Sequence, residues 1–364
     1  MVVTLSPKQH HDGFIIARHL QLDKKVEKEF IIVYNWKQTR ISTIIFFRED
    51  ILMETSEKIM HYANFNITYG PTEDPMLTHF EDIIWPAFLS DFKRGKKNEH
   101  PLFYLSDIAL KEISGDMVLV GNYIKDTQYD IRTTVQNGEL VSTPSSVPTA
   151  PYSRFIIFLK NHRMILVRNE SQSPDIRSFQ ATIRSLLYNY ISNENQKIKE
   201  KDKKLPHALV NIVDIPLPQD IEETLKDVSK INWLKIRFFP LNNDINPIPV
   251  AEDIDRQMKK LGSKHAHVQF TSPASKEEVK DLIDRSSGLA VSTLEVLDAN
   301  GNKSKIKEEQ FTSSKKILFG RDILPEDDGY IIDQAKKDTV VTATSEDNKA
   351  LFDKFKGMLK NLII

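Results

Sequence analysis

The sequence contains no cysteine and only 12 glycines in 364 residues. The absence of cysteine excludes disulfides, thiolate nucleophiles and cysteine-ligated zinc, and is typical of a protein in a reducing compartment. None of the glycines forms the loop that binds nucleotide phosphates, in which backbone N–H groups surround the anion at the start of a helix. The sequence therefore argues against thiol chemistry and against nucleotide hydrolysis.

The chain also lacks an excess of charge of either sign, because 50 Lys and Arg residues stand against 51 Asp and Glu residues. A nucleic-acid or anionic-membrane partner would therefore need a local basic patch. No apolar run approaches the roughly 20 residues that cross a bilayer, and the first residues lack the layout of a secretory signal. We expect a cytoplasmic protein, bacterial in style, without a membrane partner.

The length and composition predict two packed domains. A chain of 364 residues exceeds the usual size of one domain, and 40% hydrophobic residues are enough for separate cores. Apolar residues nearly vanish from Asn193 to Lys204, which predicts the boundary there. We predict an N-terminal mixed β/α domain over 1–195, a C-terminal α/β domain over 205–323, and an acidic loop with an amphipathic C-terminal helix over 324–364.

Hydrophobic spacing in the first domain predicts a mostly antiparallel sheet with helices. β-branched and aromatic runs at 30–34 and 41–47 predict a hairpin, and wider spacing predicts helices over 51–60 and 80–89. Asn137-Gly138 between two strand-like runs predicts a tight hairpin, because both turn positions need positive φ. We interpret the Ser, Thr and Pro residues from Ser142 to Pro151 as a surface loop.

The second domain alternates strands and helices from Leu209 to Leu297. Ser275 and Glu278 form a capping box at the start of one helix, and Asn300-Gly301 predicts a hairpin after the last of these strands. This order predicts a layered α/β domain of the ferredoxin-like type. The fold class of the whole chain is therefore α+β.

Side chains that could support catalysis are scattered. Asp175 could ligate a metal, but the residues after it are helical, so we interpret it as a charge that complements the helix start. The acidic run from Glu326 to Asp328 could bind Mg²⁺, and a solvated loop is the simpler interpretation. His265 and His267 share a strand face without an identifiable third ligand. We predict no catalytic residue, no metal and no cofactor, although distant residues could still assemble a site.

Two local basic patches could contact nucleic acid. Cations neutralise phosphates and aromatic faces stack on bases. The alternatives are a solvated loop for the first patch and core aromatics with outward arginines for the second. The predicted contacts are Lys93, Arg94, Lys96 and Lys97 in the first patch, and Arg154, His162, Arg163 and Arg168 in the second.

The C-terminal helix has one apolar face, formed by Phe352, Phe355, Leu359 and Leu362. Such a stripe can dock into the groove of a partner protein. Packing against its own domain is the alternative.

Features from Ser153 to Phe319 carry a family resemblance. A strand hairpin contains His162-Arg163, a helix begins at Ser173-Pro174, and Ser287-Gly288 forms a turn from helix to strand. This order, over less than half of the chain, resembles an uncharacterised bacterial family with a domain of unknown function. Because such families lie in mobile-element and phage-defence neighbourhoods, the resemblance implies a role in phage defence. It carries over no catalytic residue.

Two functions follow from the sequence. The first is a non-enzymatic component of a bacterial phage-defence or mobile-element system that binds DNA or RNA through its basic patches. The second is a protein-interaction or sensor subunit that binds an effector protein without nucleic acid. Salt dependence of binding separates the two, because phosphate contacts weaken steeply as salt rises.

Overall fold

The computed structural model describes all residues except 1–5, 11–12, 24–25, 36–39, 43–55, 97–98, 217, 241–248, 287, 308–314, 320–326 and 364. By its contacts the chain divides into one unit of Met1–Ser56 with Leu318–Leu324 and another of Glu57–Ile317 with Pro325–Ile364. The predicted boundary between residues 195 and 205 stays a prediction. The mixed α and β composition is confirmed, with 35% helix and 41% strand.

The first unit contains a four-stranded sheet in the order β1-β2-β3-β4. All of its neighbouring strands are antiparallel, and Val33 pairs with Ser42 in the hairpin that the sequence predicts. The remainder of that hairpin, residues 43–47, lies outside the described residues. The strands are β1 (Ser6–His10), β2 (Gly13–Asp23), β3 (Val26–Asn35) and β4 (Arg40–Ser42).

The second unit is built around a large, mainly antiparallel sheet. Its strands are β5 (Ser56–Tyr69), β6 (Asp74–Pro75), β7 (Leu102–Ile113), β8 (Asp116–Gln136), β9 (Glu139–Thr149), β10 (Tyr152–Phe158), β11 (Arg163–Arg168) and β12 (Ala208–Asp214). The main path across this sheet is β12-β5-β11-β10-β8-β7, with β6 beside β5 and β9 beside β8. The same unit contains helices between these strands. They are α1 (Trp85–Phe88), which follows a 3-10 turn and a π turn, and the long α2 (Ile176–Lys197).

Alternation along β5 explains one face of the large sheet. Ala63, Phe65, Ile67 and Tyr69 lie on the same side, are at most 1% exposed, and share a core with the apolar stripe of α2. Successive side chains of a strand point to opposite faces, so every second residue of this part of β5 joins the core. The helix that the sequence predicts over 51–60 is wrong for Ile59 and Met60, which belong to β5.

A second, four-stranded sheet follows in the order β14-β13-β15-β16. Its strands are β13 (Val228–Phe238), β14 (Ala266–Thr271), β15 (Ala290–Asp298) and β16 (Lys303–Lys307), and its helices are α3 (Pro218–Leu225), α4 (Pro249–Leu261) and α5 (Lys276–Ser286). A separate core joins these helices to one sheet face. The three strand pairs of this sheet are all antiparallel, and the predicted ferredoxin-like layering is not confirmed.

The C-terminal segment returns to the large sheet. Strand β17 (Lys315–Phe319) pairs with β5, and helices α6 (Asp328–Ala335), α7 (Thr339–Thr342) and α8 (Glu346–Asn361) follow. On the sheet face opposite α2, the Tyr62 hydroxyl donates to Asp338 Oδ2 at 2.6 Å, and Asn161 Nδ2 donates to the Val341 carbonyl at 2.7 Å. The large sheet is thus covered on both faces where these residues lie.

The apolar stripe of α8 packs inside its own unit. Phe352 is 7% exposed and Leu359 is 0% exposed, and both belong to the core of the large sheet. Phe355 and Leu362 pack against the same core. Their own unit thus covers Phe352 and Leu359 and leaves Phe355 and Leu362 half-buried, and the predicted partner contact stays a prediction.

The predicted turn at Asn137-Gly138 and the loop predicted after it had different outcomes. Asn137 and Gly138 have φ values of 51 and 85 degrees and connect Gln136 to Glu139, as predicted. The loop predicted from Ser142 to Pro151 is wrong, because strand β9 extends to Thr149. The paired β8 and β9 strands form an arm, residues 127–149, that exposes Tyr129, Val135, Leu140 and Val147.

Candidate nucleic-acid interface

One face of the second sheet carries cations and an aromatic ring. Cross-strand pairing aligns three rows of side chains on this face: His267-Arg237-Val291, Gln269-Lys235-Thr293-Lys307 and Thr271-Trp233-Glu295-Lys305. Lys303 pairs with Leu297 and lies one position further along the same face. We call this surface the basic face and define it by Trp233, Lys235, Arg237, His267, Lys303, Lys305 and Lys307.

Strand alternation separates the basic face from the core beneath it. Leu234, Ile236 and Phe238 point to helices α4 and α5 and are at most 2% exposed. Trp233 and Arg237 on the same strand point the other way, since successive side chains alternate. A register shift between Ile231 and Trp233 determines which side chains of β13 point to the basic face. Arg237, His267 and the three lysines of β16 are exposed to solvent.

The basic face has a positive local charge. Partial desolvation lowers the pKa of His267, and the charges of Lys235, His265 and Arg237 lower it further. Protonation is disfavoured because the imidazolium would sit among other cations. Glu295 is the carboxylate in these rows, and a hydrogen bond from Lys303 at 2.9 Å lowers its pKa. Cations therefore outnumber carboxylates on this face.

The aromatic rings of this region lie within reach of its cations. Lys305 Nζ is 5.8 Å from the centre of the Trp233 ring, and the Arg237 guanidinium is 5.0 Å from that of Phe239. Both distances suit a cation–π contact. The His265 and His267 ring centres are 5.4 Å apart. An anionic ligand with planar rings would find both charge and stacking surfaces here.

The sequence singles out His265 and His267 as a shared strand face, but we did not predict the cations of β13 and β16 beside them. The signal was present as Trp233-x-Lys235-x-Arg237 and as Lys303-x-Lys305-x-Lys307. Each pattern places basic residues at alternate positions of a strand, which puts them on one face. The pairing of those two strands through β15 was what the sequence could not supply.

The first predicted basic patch is only partly exposed. Arg94 Nε donates to Thr182 Oγ1 at 2.8 Å, Nη2 donates to Ser178 Oγ at 3.0 Å, and the guanidinium lies 4.2 Å from the Phe103 ring centre. Arg94 therefore holds its loop against α2. Lys93 and Lys96 are exposed, and Lys97 lies outside the described residues.

The second predicted patch is mostly interior. Arg154 is 4% exposed, and its Nε and Nη2 donate to the two Asp328 carboxylate oxygens at 2.8 and 2.9 Å. His162 and Arg163 are 1% and 2% exposed. Arg168 is half-buried and donates from Nη2 to the Ser171 carbonyl. We exclude Arg154, His162 and Arg163 from the candidate interface, because their side chains do not reach the surface.

Asp328 remains charged in this buried network. Burial raises the pKa of its carboxyl, but hydrogen bonds from Arg154 and from Lys111 at 2.7 Å outweigh burial and hold the pKa below its usual value. The acidic run that could have bound Mg²⁺ thus supplies a structural ion pair through Asp328. In the part of the chain that the structure describes, no group of three or more His, Asp or Glu side chains could hold a metal ion.

A further ionisable group lies on the α2 side of the large sheet. His61 pairs with Leu166 and Asp214 pairs with Ala63, so both side chains point to the same face. Burial and the Arg168 charge lower the pKa of His61 to about 4. Burial and the Asp175 charge raise the pKa of Asp214 to about 7. We propose no ligand for His61 and Asp214, because His61 Nε2 is shielded from solvent.

Comparisons with known proteins give no neighbour. No family model shows significant similarity to the chain, and neither a curated protein nor a solved structure does. Among the described residues no helix is long and apolar enough to cross a membrane. The resemblance to a bacterial family of phage-defence neighbourhoods stays a prediction.

Proposed function

We propose that the chain binds nucleic acid through the basic face of its second sheet. The observation that carries this proposal is the cross-strand alignment of Lys235, Arg237, Lys305 and Lys307 around Trp233 on one sheet face. Arg237, Lys305 and Lys307 are exposed there, and Trp233 and Lys235 are half-buried. Phosphates supply the charge that such a surface attracts, and bases supply rings that stack on indole. A place in phage defence or in a mobile element is suggested by the family resemblance alone.

A salt series tests the proposal. The labelled probes are an oligonucleotide duplex and its separated strands, and fluorescence anisotropy measures their affinity. We expect affinity to fall steeply between low and moderate salt, with a slope of roughly 0.7 to 0.9 per phosphate contact. Binding that ignores salt would contradict phosphate contact.

Charge reversal locates the contact. Lys305→Glu/Lys307→Glu should weaken binding at least about tenfold at low salt and reduce the salt slope by about one to two contacts. Lys201→Glu/Lys203→Glu makes the same charge change on an exposed 3-10 turn outside the basic face, and should bind nearly as the unaltered chain does. Equal losses in both variants would mean that only total charge matters.

The sequence-predicted patch provides the competing location. Lys93→Glu/Lys96→Glu changes its two exposed lysines and should leave binding close to normal. A larger loss there than on β16 would move the interface to the loop before β7. If no probe binds to the unaltered chain, the protein-interaction alternative gains, and the exposed apolar side chains of the arm become the first surface to alter.

A further inference from the structure

The spacing of the β16 lysines resembles the repeat of a stretched nucleotide strand. Lys303, Lys305 and Lys307 occupy alternate positions of the outermost strand of the sheet. Alternate side chains of a strand lie roughly 7 Å apart on one face. An extended polynucleotide laid along this edge can bring successive phosphates to successive lysines.

Trp233 lies inward from this row of lysines. It shares a row with Glu295 and Lys305, so one strand separates it from β16. Neighbouring strands are about 4.8 Å apart, which puts the backbone of Trp233 roughly 10 Å from that of β16, and Lys305 Nζ reaches to 5.8 Å from the centre of the indole ring. A nucleotide whose phosphate contacts Lys305 can extend its base across β15 to the indole. Thr293, a small side chain in the next row, leaves room beside that path.

A duplex cannot use this arrangement fully. Its bases are paired and stacked inside the helix, and its major groove admits a helix or a two-stranded ribbon rather than the face of a four-stranded sheet. Only the cations of the basic face would contact a duplex, and Trp233 would stay unused. A single strand exposes both phosphates and base faces.

We propose that the basic face binds single-stranded nucleic acid, with the backbone along Lys303, Lys305 and Lys307 and one base stacked on Trp233. This inference rests on the proposed function and names its substrate class. The shared chemistry is an unpaired strand of DNA or RNA. The ion pair of Lys303 with Glu295 fixes the position of that lysine at the start of the row.

Four probes test the inference on the full chain: single-stranded DNA and RNA of one mixed sequence, and the two corresponding duplexes. We expect the single strands to bind at least about tenfold more tightly than the duplexes at equal salt. Trp233→Leu should weaken single-strand binding by roughly tenfold, whereas Trp233→Phe keeps a ring and should lose less. Preference for RNA or for DNA identifies the source of the strand and supports the inference either way.

Tryptophan fluorescence gives an independent readout. Stacking of a base on Trp233 should quench emission on titration with a single strand, and Trp233→Phe should abolish that change. Circular dichroism and thermal unfolding confirm that each variant folds; if Trp233→Leu does not, Trp233→Phe and the fluorescence titration decide. Equal duplex and single-strand affinity, or quenching that survives Trp233→Phe, overturns the single-strand inference while binding through the lysines leaves the proposed function standing. Absence of binding by all probes overturns both.

Discussion

Arginines on the two sheets of the second unit differ in their exposure to solvent. Arg154 on β10 and Arg237 on β13 are both strand residues with aromatic neighbours. Helix α6 covers the face of the large sheet that carries Arg154, which is 4% exposed and bound by Asp328. Helices cover the opposite face of the second sheet, so Arg237 reaches solvent. A cation on a strand is structural or available according to whether its own face is covered.

The largest expected difference concerns these two arginines. Arg154→Met should destabilise the fold by about 3 to 5 kcal/mol, because it leaves the buried Asp328 charge with Lys111 as its remaining cation. The change in the free energy of unfolding can be measured with urea. Arg154→Met/Asp328→Leu removes both charges and should recover part of the loss.

Arg237→Met is the matched control for that change. It should alter the free energy of unfolding by no more than about 0.5 kcal/mol, since its side chain is exposed. It should also weaken nucleic-acid binding. Equal destabilisation by the two arginine substitutions would mean that coverage of the face does not set the role of the residue.

Leucines test the same contrast without charge. Leu359→Ala removes a side chain that is 0% exposed in the large-sheet core and should cost about 2 to 5 kcal/mol. Leu140→Ala in the arm removes one that is 79% exposed and should change stability by less than about 0.5 kcal/mol. Urea unfolding of both variants measures the difference. A small loss for Leu359→Ala would show that α8 does not complete this core.

Local signals in the sequence predicted local structure well. The Asn137-Gly138 turn, the long α2 and the C-terminal α8 lie where positive-φ residues and helical periodicity place them. Ser275 Oγ accepts from the Glu278 backbone N–H at 3.1 Å, as a cap requires. The errors fall where spacing is ambiguous: Ile59 and Met60 are compatible with a helix until β11 and β12 pair with their strand.

The site required tertiary information. Arg154 and Arg237 are alike in sequence context, and only the helices packed on each sheet separate a buried ion pair from an exposed cation. The Asp328 partner of Arg154 lies 174 residues away along the chain. Likewise, the alternating lysines of β16 become part of one surface with Trp233 only through pairing across β15. Chain-distant pairing is the part that periodicity does not encode.

The smallest expected effect is a pH dependence confined to the large sheet. His61 has a folded pKa of about 4 against an ordinary value of 6.5, so the unfolded chain binds its proton first and stability rises with pH over that window. Asp214 has a folded pKa of about 7 against 3.8, so the folded chain keeps its proton longer and stability falls as pH rises from about 4 to 7. The two slopes oppose each other.

Single substitutions should uncover each slope. Asp214→Asn leaves His61 and should give a protein whose stability rises with pH between about 4 and 6.5, and His61→Gln should give one whose stability falls between about pH 4 and 7. Thermal unfolding across pH measures both. His267→Gln on the exposed second sheet is the control and should barely change the profile. Identical profiles for Asp214→Asn and His61→Gln would show that burial on the large sheet does not perturb these groups.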